Sequence, residues 1–236
     1  MYERSAATYD LMNAARGKDY AAEAAYLHAI VDERRPGAQS LLDVACGTGR
    51  HLVEFDLRFD QVAGLEWAPA MRDMACGVVG GIEIHGGDMR SFELTRTFDV
   101  ITCLFSSIGY MLSSTDLHAA VSAMAGHLEP DGLLLVEPWF QPDDWVDGRV
   151  VAESANSADL AVARVSHSAR SGTISTFERH CTVGGRTGVE SWVDMHQMAL
   201  WTLDEYSEAF TNAGLLMDHD PVGPTGRGLL IGQASN

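Results

Sequence analysis

The segment Leu41-Leu-Asp-Val-Ala-Cys-Gly-Thr-Gly49 constrains the fold of this chain more than any other. An apolar run carrying one acidic residue meets a turn with Gly-x-Gly spacing. That order reads as a buried first strand of an α/β sheet feeding a nucleotide-binding loop, since glycine lets a backbone approach a ligand with no side chain between. About twenty residues on, Gln61-Val-Ala-Gly-Leu-Glu66 reads as a second strand ending in a carboxylate suited to a ribose diol. A third strand, Ile82-Glu-Ile-His85, leads into Gly86-Gly87-Asp88-Met89. Three strand ends thus deliver acidic groups to one edge of a sheet.

The rest of the first half continues this alternation. Asp19 is placed to cap a helix with Ala22, Tyr26, Ala29 and Ile30 on one face, stopped by Pro36 and Gly37. Helices are expected over 51–55 and 69–76, and a fourth strand over 98–105 before the polar turn Ser106-Ser-Ile-Gly-Tyr110. A helix bearing Leu117, Val121, Met124 and Leu128 follows; Pro130-Asp-Gly132 ends it and residues 133–136 supply a fifth strand. Strand–helix alternation of this kind specifies a mostly parallel sheet covered on both faces. From about 139 to 201 the rhythm changes to period two, as in residues 160–166 and 173–177, with breaks at Ser171-Gly172 and Gly184-Gly185. Residues 139–201 therefore read as an inserted antiparallel β subdomain. Residues 1–138 and 202–236 form the main domain, with the N-terminal arm as a lid. Thr202-Leu-Asp-Glu205 is a capping box opening a helix that closes at Gly214, and residues 223–232 return to a last strand.

Composition narrows the function classes. The chain has 236 residues, enough for one domain with a developed core. A formal net charge of −17 argues against a nucleic-acid partner, because phosphate backbones are held by clustered Lys and Arg. The same field repels small anions, so an anionic substrate needs a few local arginines. No long apolar run suggests a membrane span, and the N-terminus lacks the apolar core of a signal peptide, which points to the cytoplasm. Four scattered cysteines and nine histidines show no metal-ligand spacing, so no metal is expected.

The strand ends at Asp43, Glu66 and Asp88 resemble those of the class I S-adenosylmethionine (SAM) methyltransferases. Further blocks resemble, more narrowly, the N,N-dimethyltransferases of dTDP-linked amino-deoxysugars in antibiotic biosynthesis. They are Arg16-Gly-Lys-Asp-Tyr20, Gly87-Asp-Met-Arg90, Phe105-Ser-Ser-Ile-Gly109, Val136-Glu-Pro-Trp139, Arg164-Val-Ser-His-Ser168 and Gly223-Pro-Thr-Gly-Arg-Gly-Leu229. The resemblance runs from about residue 2 to 232. It implies a class I Rossmann-like α/β fold and SAM as cofactor. Tyr9, Asp43, Ala45, Gly47, Gly49, Glu66, Trp67, Asp88, Met89 and Leu104 would hold it, with Asp43 toward the methionine amino group, Glu66 on the ribose and Asp88 on the adenine. Tyr2 and Tyr20 would face the acceptor, and Trp139 and Phe140 would wall the sugar or base pocket; Ser106, Ser107 and Tyr110 are acceptor candidates from their place at the carboxyl end of the fourth strand. Arg164 and Arg227, with Ser166 or Ser168, would take the diphosphate and nucleotide, which answers the need for fork-shaped cations in an acidic protein. A homodimer is implied by the resemblance alone.

One position departs from the family. Its pattern places a histidine, the proton acceptor, after Phe-Ser-Ser-Ile-Gly; here that residue is Tyr110. An ordinary phenol ionises at about 10 and is a poor base at neutral pH. Tyr110 is therefore expected to orient the amine or a water through its hydroxyl. Rival readings are methylation at carbon or oxygen, an NAD-dependent sugar-nucleotide oxidoreductase and a non-catalytic accessory protein. The missing third glycine and the absence of Tyr-x-x-x-Lys count against the oxidoreductase, and the intact Glu66 and Asp88 against the accessory protein.

Overall fold

The computed structural model describes residues 6–234. The chain runs through helices α1 (Ala6–Ala15) and α2 (Tyr20–Arg34), then β1 (Ser40–Val44), α3 (Arg50–Phe55), β2 (Gln61–Glu66), α4 (Pro69–Val78) and β3 (Glu83–Gly86). It continues through β4 (Phe98–Cys103), a 3-10 turn at Ser107–Tyr110, α5 (Ser114–Ala125) and β5 (Leu128–Val136). Four strands follow in succession, β6 (Val150–Asn156), β7 (Leu160–Ser171), β8 (Ile174–Gly185) and β9 (Gly188–Ala199). The last elements are α6 (Leu203–Asn212), β10 (Leu215–Asp220) and β11 (Leu229–Ala234).

Seven strands form the main sheet in the order β10-β11-β5-β4-β1-β2-β3. Strands β1 to β5 pair in parallel, and β11 runs antiparallel to both its neighbours. The central strands are apolar on both faces, which is why their sequences read as runs rather than alternations. On β1 and β4, Leu41 and Val100 join one core layer with Leu27, Leu52 and Phe55. Leu42 and Ile101 join the other with Val121, Met124 and Phe210. Because β1 sits between β2 and β4, the chain leaves β1 and β4 toward opposite sides. A crevice opens between their carboxyl ends, where ligands of such sheets bind. No helix among the described residues is long and apolar enough to cross a membrane.

The second sheet is a meander, β6-β7-β8-β9, every pair antiparallel. Its breaks fall at Gly172, with φ +61°, and just after Gly184-Gly185. Met12 of α1 packs on Ala155 and Val162 of this sheet. Strand β9 presses on the turn after β4 so closely that a Cβ at Gly109 would lie 2.8 Å from Met198 Cε and 2.9 Å from Trp139 Cβ. Glycine is needed there for space, not for backbone freedom.

Three local expectations are corrected. On α2 the buried stripe is Glu23, Ala24, Leu27 and Val31; Ala22 and Ala29 are exposed. The burial of Glu23 beside Lys18 and His51 turns the helix by about one position. Leu128 belongs to β5, not to the preceding helix, since Pro130-Asp-Gly132 lies within the strand and pairing on β4 shifts between Phe98 and Val100. Strand β10 has no expectation behind it, because Leu215–Asp220 is three apolar residues followed by three polar ones at the edge of the sheet, without the period-two alternation that marks a strand. The capping box at Thr202 and Glu205 is present as expected.

Candidate active site

The loop after β1 turns back sharply. Ala45, Gly47 and Gly49 have φ of 61°, 59° and 76°, a conformation free for glycine and costly for alanine. At Gly49 a side chain is also excluded by packing, since its Cβ would fall 2.8 Å from Val79 Cγ1. Gly49 is thus the N-cap of α3 and a contact for α4, and it does not line the cavities as Ala45 and Gly47 do.

Glu66 ends β2 with both oxygens held. The Gly47 N–H donates to Oε2 at 2.9 Å and the Ala68 N–H to Oε1 at 2.7 Å. Burial raises its pKa against the pull of these amides. Each oxygen keeps lone pairs for a further donor, so the carboxylate is oriented but not used up. It borders a cleft of about 520 Å³ that also touches Trp67, Asp88, Met89, Ser107 and Tyr110. Trp67 presents an exposed indole. Asp88 is braced by Arg90, whose Nη2 lies 2.6 Å away and whose backbone N–H donates at 2.9 Å. Those bonds hold its carboxyl below the ordinary range. Arg90 reaches on to Asp116 at 2.8 Å, a bracket absent from the sequence reading.

A smaller cavity of about 40 Å³ adjoins the cleft and shares Tyr9, Ala45, Gly47 and Ser107 with it. Asp43, Leu104 and Tyr20 line it. Asp43 is buried, takes a 2.7 Å hydrogen bond from Thr102 Oγ1, and is pushed up to about 6 by burial. Tyr20 is raised to about 12, again mainly by burial. Lys18 and His51 also line this cavity and both reach Glu23 Oε2, at 2.7 and 2.8 Å. Neither His51 nor Glu23 was expected at the site, and only Lys18 stood inside a motif block.

The exit of β4 carries strain. Phe105 and Ser106 both have positive φ, 51° and 62°, outside the comfortable range for residues with side chains. Buried partners hold them there. Glu137, after β5, accepts from the Phe105 N–H at 2.7 Å, and Ser106 Oγ donates to Pro138 O at 2.7 Å. This places the 3-10 turn so that Tyr110 stands in the cleft, where the Tyr110 hydroxyl lies 2.8 Å from His196 Nδ1 on β9. Glu137 stands inside the block Val136-Glu-Pro-Trp139 but without a role, and His196 lies in no block, because each acts across a long chain separation.

The basic residues are less uniformly placed. The Arg227 guanidinium lies over the rings of Phe105 and Trp139, at 5.4 and 5.8 Å, and donates to Ser106 Oγ at 3.3 Å. Trp139 and Phe140 join Trp145 and Phe177 in an aromatic cluster. Arg164, on β7, is turned to Glu153 at 2.7 Å, which Arg16 of the N-terminal arm also grips at 2.6 Å. Burial opposes the ionisation of Glu153, but these arginines outweigh it and hold the carboxyl at about 2. Arg164, the buried Ser168, Trp139, Phe140 and Arg227, which also approaches Glu137 Oε1 at 3.9 Å, do not line the two cavities. Tyr2 lies outside the described residues.

The groups around the cleft fit SAM. A fixed carboxylate suits a diol, an exposed indole and Met89 suit a base, and a buried carboxylate in the side cavity suits an ammonium. The volume is in the range of small-molecule sites.

Comparison with known proteins agrees. Residues 41–132 match the family model described as a methyltransferase domain. The chain is 45% identical to the dTDP-3-amino-3,4,6-trideoxy-alpha-D-glucopyranose N,N-dimethyltransferase of Streptomyces venezuelae, covering 98% of this chain and 99% of that one. It is 43% identical to the dTDP-4-amino-2,3,4,6-tetradeoxy-D-glucose N,N-dimethyltransferase of Saccharopolyspora spinosa, covering 95% and 90%. Among solved structures, SAM-bound CalS10, an amino pentose methyltransferase of Micromonospora echinaspora, superposes with a TM-score of 0.88 at 38% identity, covering 97% of each chain. With near-complete coverage at these identities, the chain belongs to the family of SAM-dependent N,N-dimethyltransferases of dTDP-linked amino-deoxysugars.

Proposed function

We propose that this enzyme methylates the amino nitrogen of a dTDP-linked amino-deoxysugar twice, in the cleft that runs from Glu66 to Tyr110. The observation that carries this reading is the meeting of the two sheets at that cleft, where Glu66 and Asp88 of the main sheet share a wall with Met195 and Gln197 of the second. Residues 139–201 act in this scheme as the acceptor-binding subdomain.

Glu66 would receive both ribose hydroxyls, Asp88 and the Met89 amide the adenine, and Asp43 the methionine ammonium, with Tyr9, Ala45, Gly47, Trp67 and Leu104 packing around them. When bound, SAM supplies an activated sulfonium methyl. The chain's own task is then alignment. Tyr110 and Ser107 face the amine, and Tyr20 closes the neighbouring cavity. Arg227, backed by Phe105 and Trp139, offers a fork to the diphosphate. Arg164 contributes only if a phosphate shares it with Glu153. A homodimer belongs to the proposal. Val165 and Val193, exposed on one face of the second sheet, offer apolar surface for it, and light scattering tests it.

The reaction is tested by mass spectrometry after mixing the protein, SAM and matched dTDP-3-amino and dTDP-4-amino sugars. A gain of two methyl groups on one isomer is expected. No gain on either, with SAM bound by calorimetry, would overturn the assignment.

A further inference from the structure

We propose that His196 is a positioning residue of the acceptor site: by accepting a hydrogen bond from the Tyr110 phenol, it leaves the Tyr110 oxygen as a hydrogen-bond acceptor facing the substrate amine. This rests on the amino-sugar reading above. The two groups lie 2.8 Å apart although 86 residues separate them. A phenol has one proton; once it is engaged in the hydrogen bond to His196 Nδ1, the oxygen has only lone pairs to turn toward the cleft. His196 is buried, while Tyr110 is half-buried and lines the cleft beside Met195 and Gln197, the neighbours of His196 on β9. The close approach of β9 at Gly109 sets this geometry, since a side chain there would push Met198 and Trp139 away.

His196 suits the part of acceptor better than that of base. Burial lowers its pKa to about 4, aided by Arg179 of β8 and Arg164 of β7 and opposed by Asp194 of β9. The imidazole is therefore neutral at working pH, and in the tautomer that carries its proton on Nε2 the Nδ1 lone pair faces the phenol. An amine that donates one N–H to the Tyr110 oxygen has its nitrogen oriented while its lone pair stays free for the methyl carbon. The ammonium proton goes to solvent water before the N–C bond forms, and again before the second round. Where the family places a basic histidine, this chain places a neutral couple.

The test uses the full-length protein with SAM and the amino sugar that it methylates. Tyr110→Phe, His196→Leu, the double variant and His196→Asn are compared. His196→Leu and Tyr110→Phe should each lower kcat/KM roughly tenfold, the size expected for one hydrogen bond, with SAM affinity unchanged by calorimetry. The double variant should fall no more than about twofold below either single one, because both remove the same interaction. His196→Asn, whose amide oxygen can stand in for Nδ1, should recover most of the loss. The wild-type pH profile should show one ionisation that moves when an amine of different basicity is used. Additive losses, full activity in His196→Leu, or loss of activity in His196→Asn with SAM affinity intact would overturn the proposal. So would an ionisation that stays with the enzyme whichever amine is used and vanishes in His196→Leu, since that would make His196 the base. A wild-type protein that binds SAM but methylates no amino sugar would remove the functional reading as well as this one.

Discussion

Glu66 reaches the cleft, and Asp43 its side cavity, from neighbouring strands paired in parallel register with Asp43 opposite Gly64. Gly47, which orients Glu66, lies 19 residues away in the chain. Tyr110, by contrast, meets His196 across 86 residues, and Arg227 meets Ser106 across 121. The side of the cleft proposed for the cofactor is built by consecutive strand ends of one sheet, and the side proposed for the acceptor by two sheets, the N-terminal arm and the C-terminal loop. Local construction leaves a motif; distant construction leaves isolated residues. The two sides should therefore respond differently to substitution.

The largest effect is expected on the cofactor side. On the proposed assignment Glu66→Ala would remove two charge-assisted hydrogen bonds to a diol, and it strands the Gly47 and Ala68 amides. At about 1.5 kcal/mol for each bond, SAM affinity should fall roughly 100-fold. Calorimetry reads this directly, and an unchanged affinity would dismantle the cofactor assignment. On the other side, Arg227→Ala should raise the KM for the sugar nucleotide roughly tenfold and leave SAM affinity nearly intact. A parallel loss of SAM binding would show that the two sides are not separable.

Gly109→Ala tests the joint between them. Overpacking against Met198 and Trp139 should cost about 1–3 kcal/mol in denaturant unfolding. It should impair acceptor turnover more than SAM binding, because the turn that carries Tyr110 must shift. A smaller effect concerns pH. Burial raises Asp43 to about 6 in the folded protein, so below that pH it is protonated and cannot receive an ammonium without first losing a proton. SAM affinity should weaken as pH falls through about 6, and Asp43→Asn should bind weakly with that dependence gone. The smallest effect is expected for Glu153→Gln. Its carboxyl, held at about 2 against an ordinary 4.5, contributes stability fully above the ordinary value and loses it as pH falls toward 2. The variant should be less stable near neutrality, by under about 1 kcal/mol for a partly exposed pair, and the difference should vanish in acid.

The strand ends and turns on the side proposed for the cofactor were legible because each has a local reason. The glycines mark the turn, Glu66 and Asp88 end strands or begin turns, and the capping box announces α6. Gly49 was read as a ligand contact, whereas its conformation serves α3 and its missing side chain serves α4. Asp88 lines the cleft and is held by its near neighbour Arg90, but the onward reach of Arg90 to Asp116 depends on α5, which no local pattern connects to it. Arg164 stood in a motif, yet the structure commits it to Glu153 and Arg16, a pairing between β6, β7 and the N-terminal arm.

The sequence by itself determined the parallel sheet, the glycine turn, the carboxylates at its edge and the family, because apolar periodicity and turn chemistry act over a few residues. The tertiary structure alone decided how the second sheet docks and which carboxylate each arginine meets, Glu153 for Arg164 and Glu137 for Arg227. It also decided that the residue standing in place of the family histidine leans on another histidine from a distant strand. Such contacts depend on which surfaces pack together, and packing depends on shape summed over the whole chain rather than on any one segment of it.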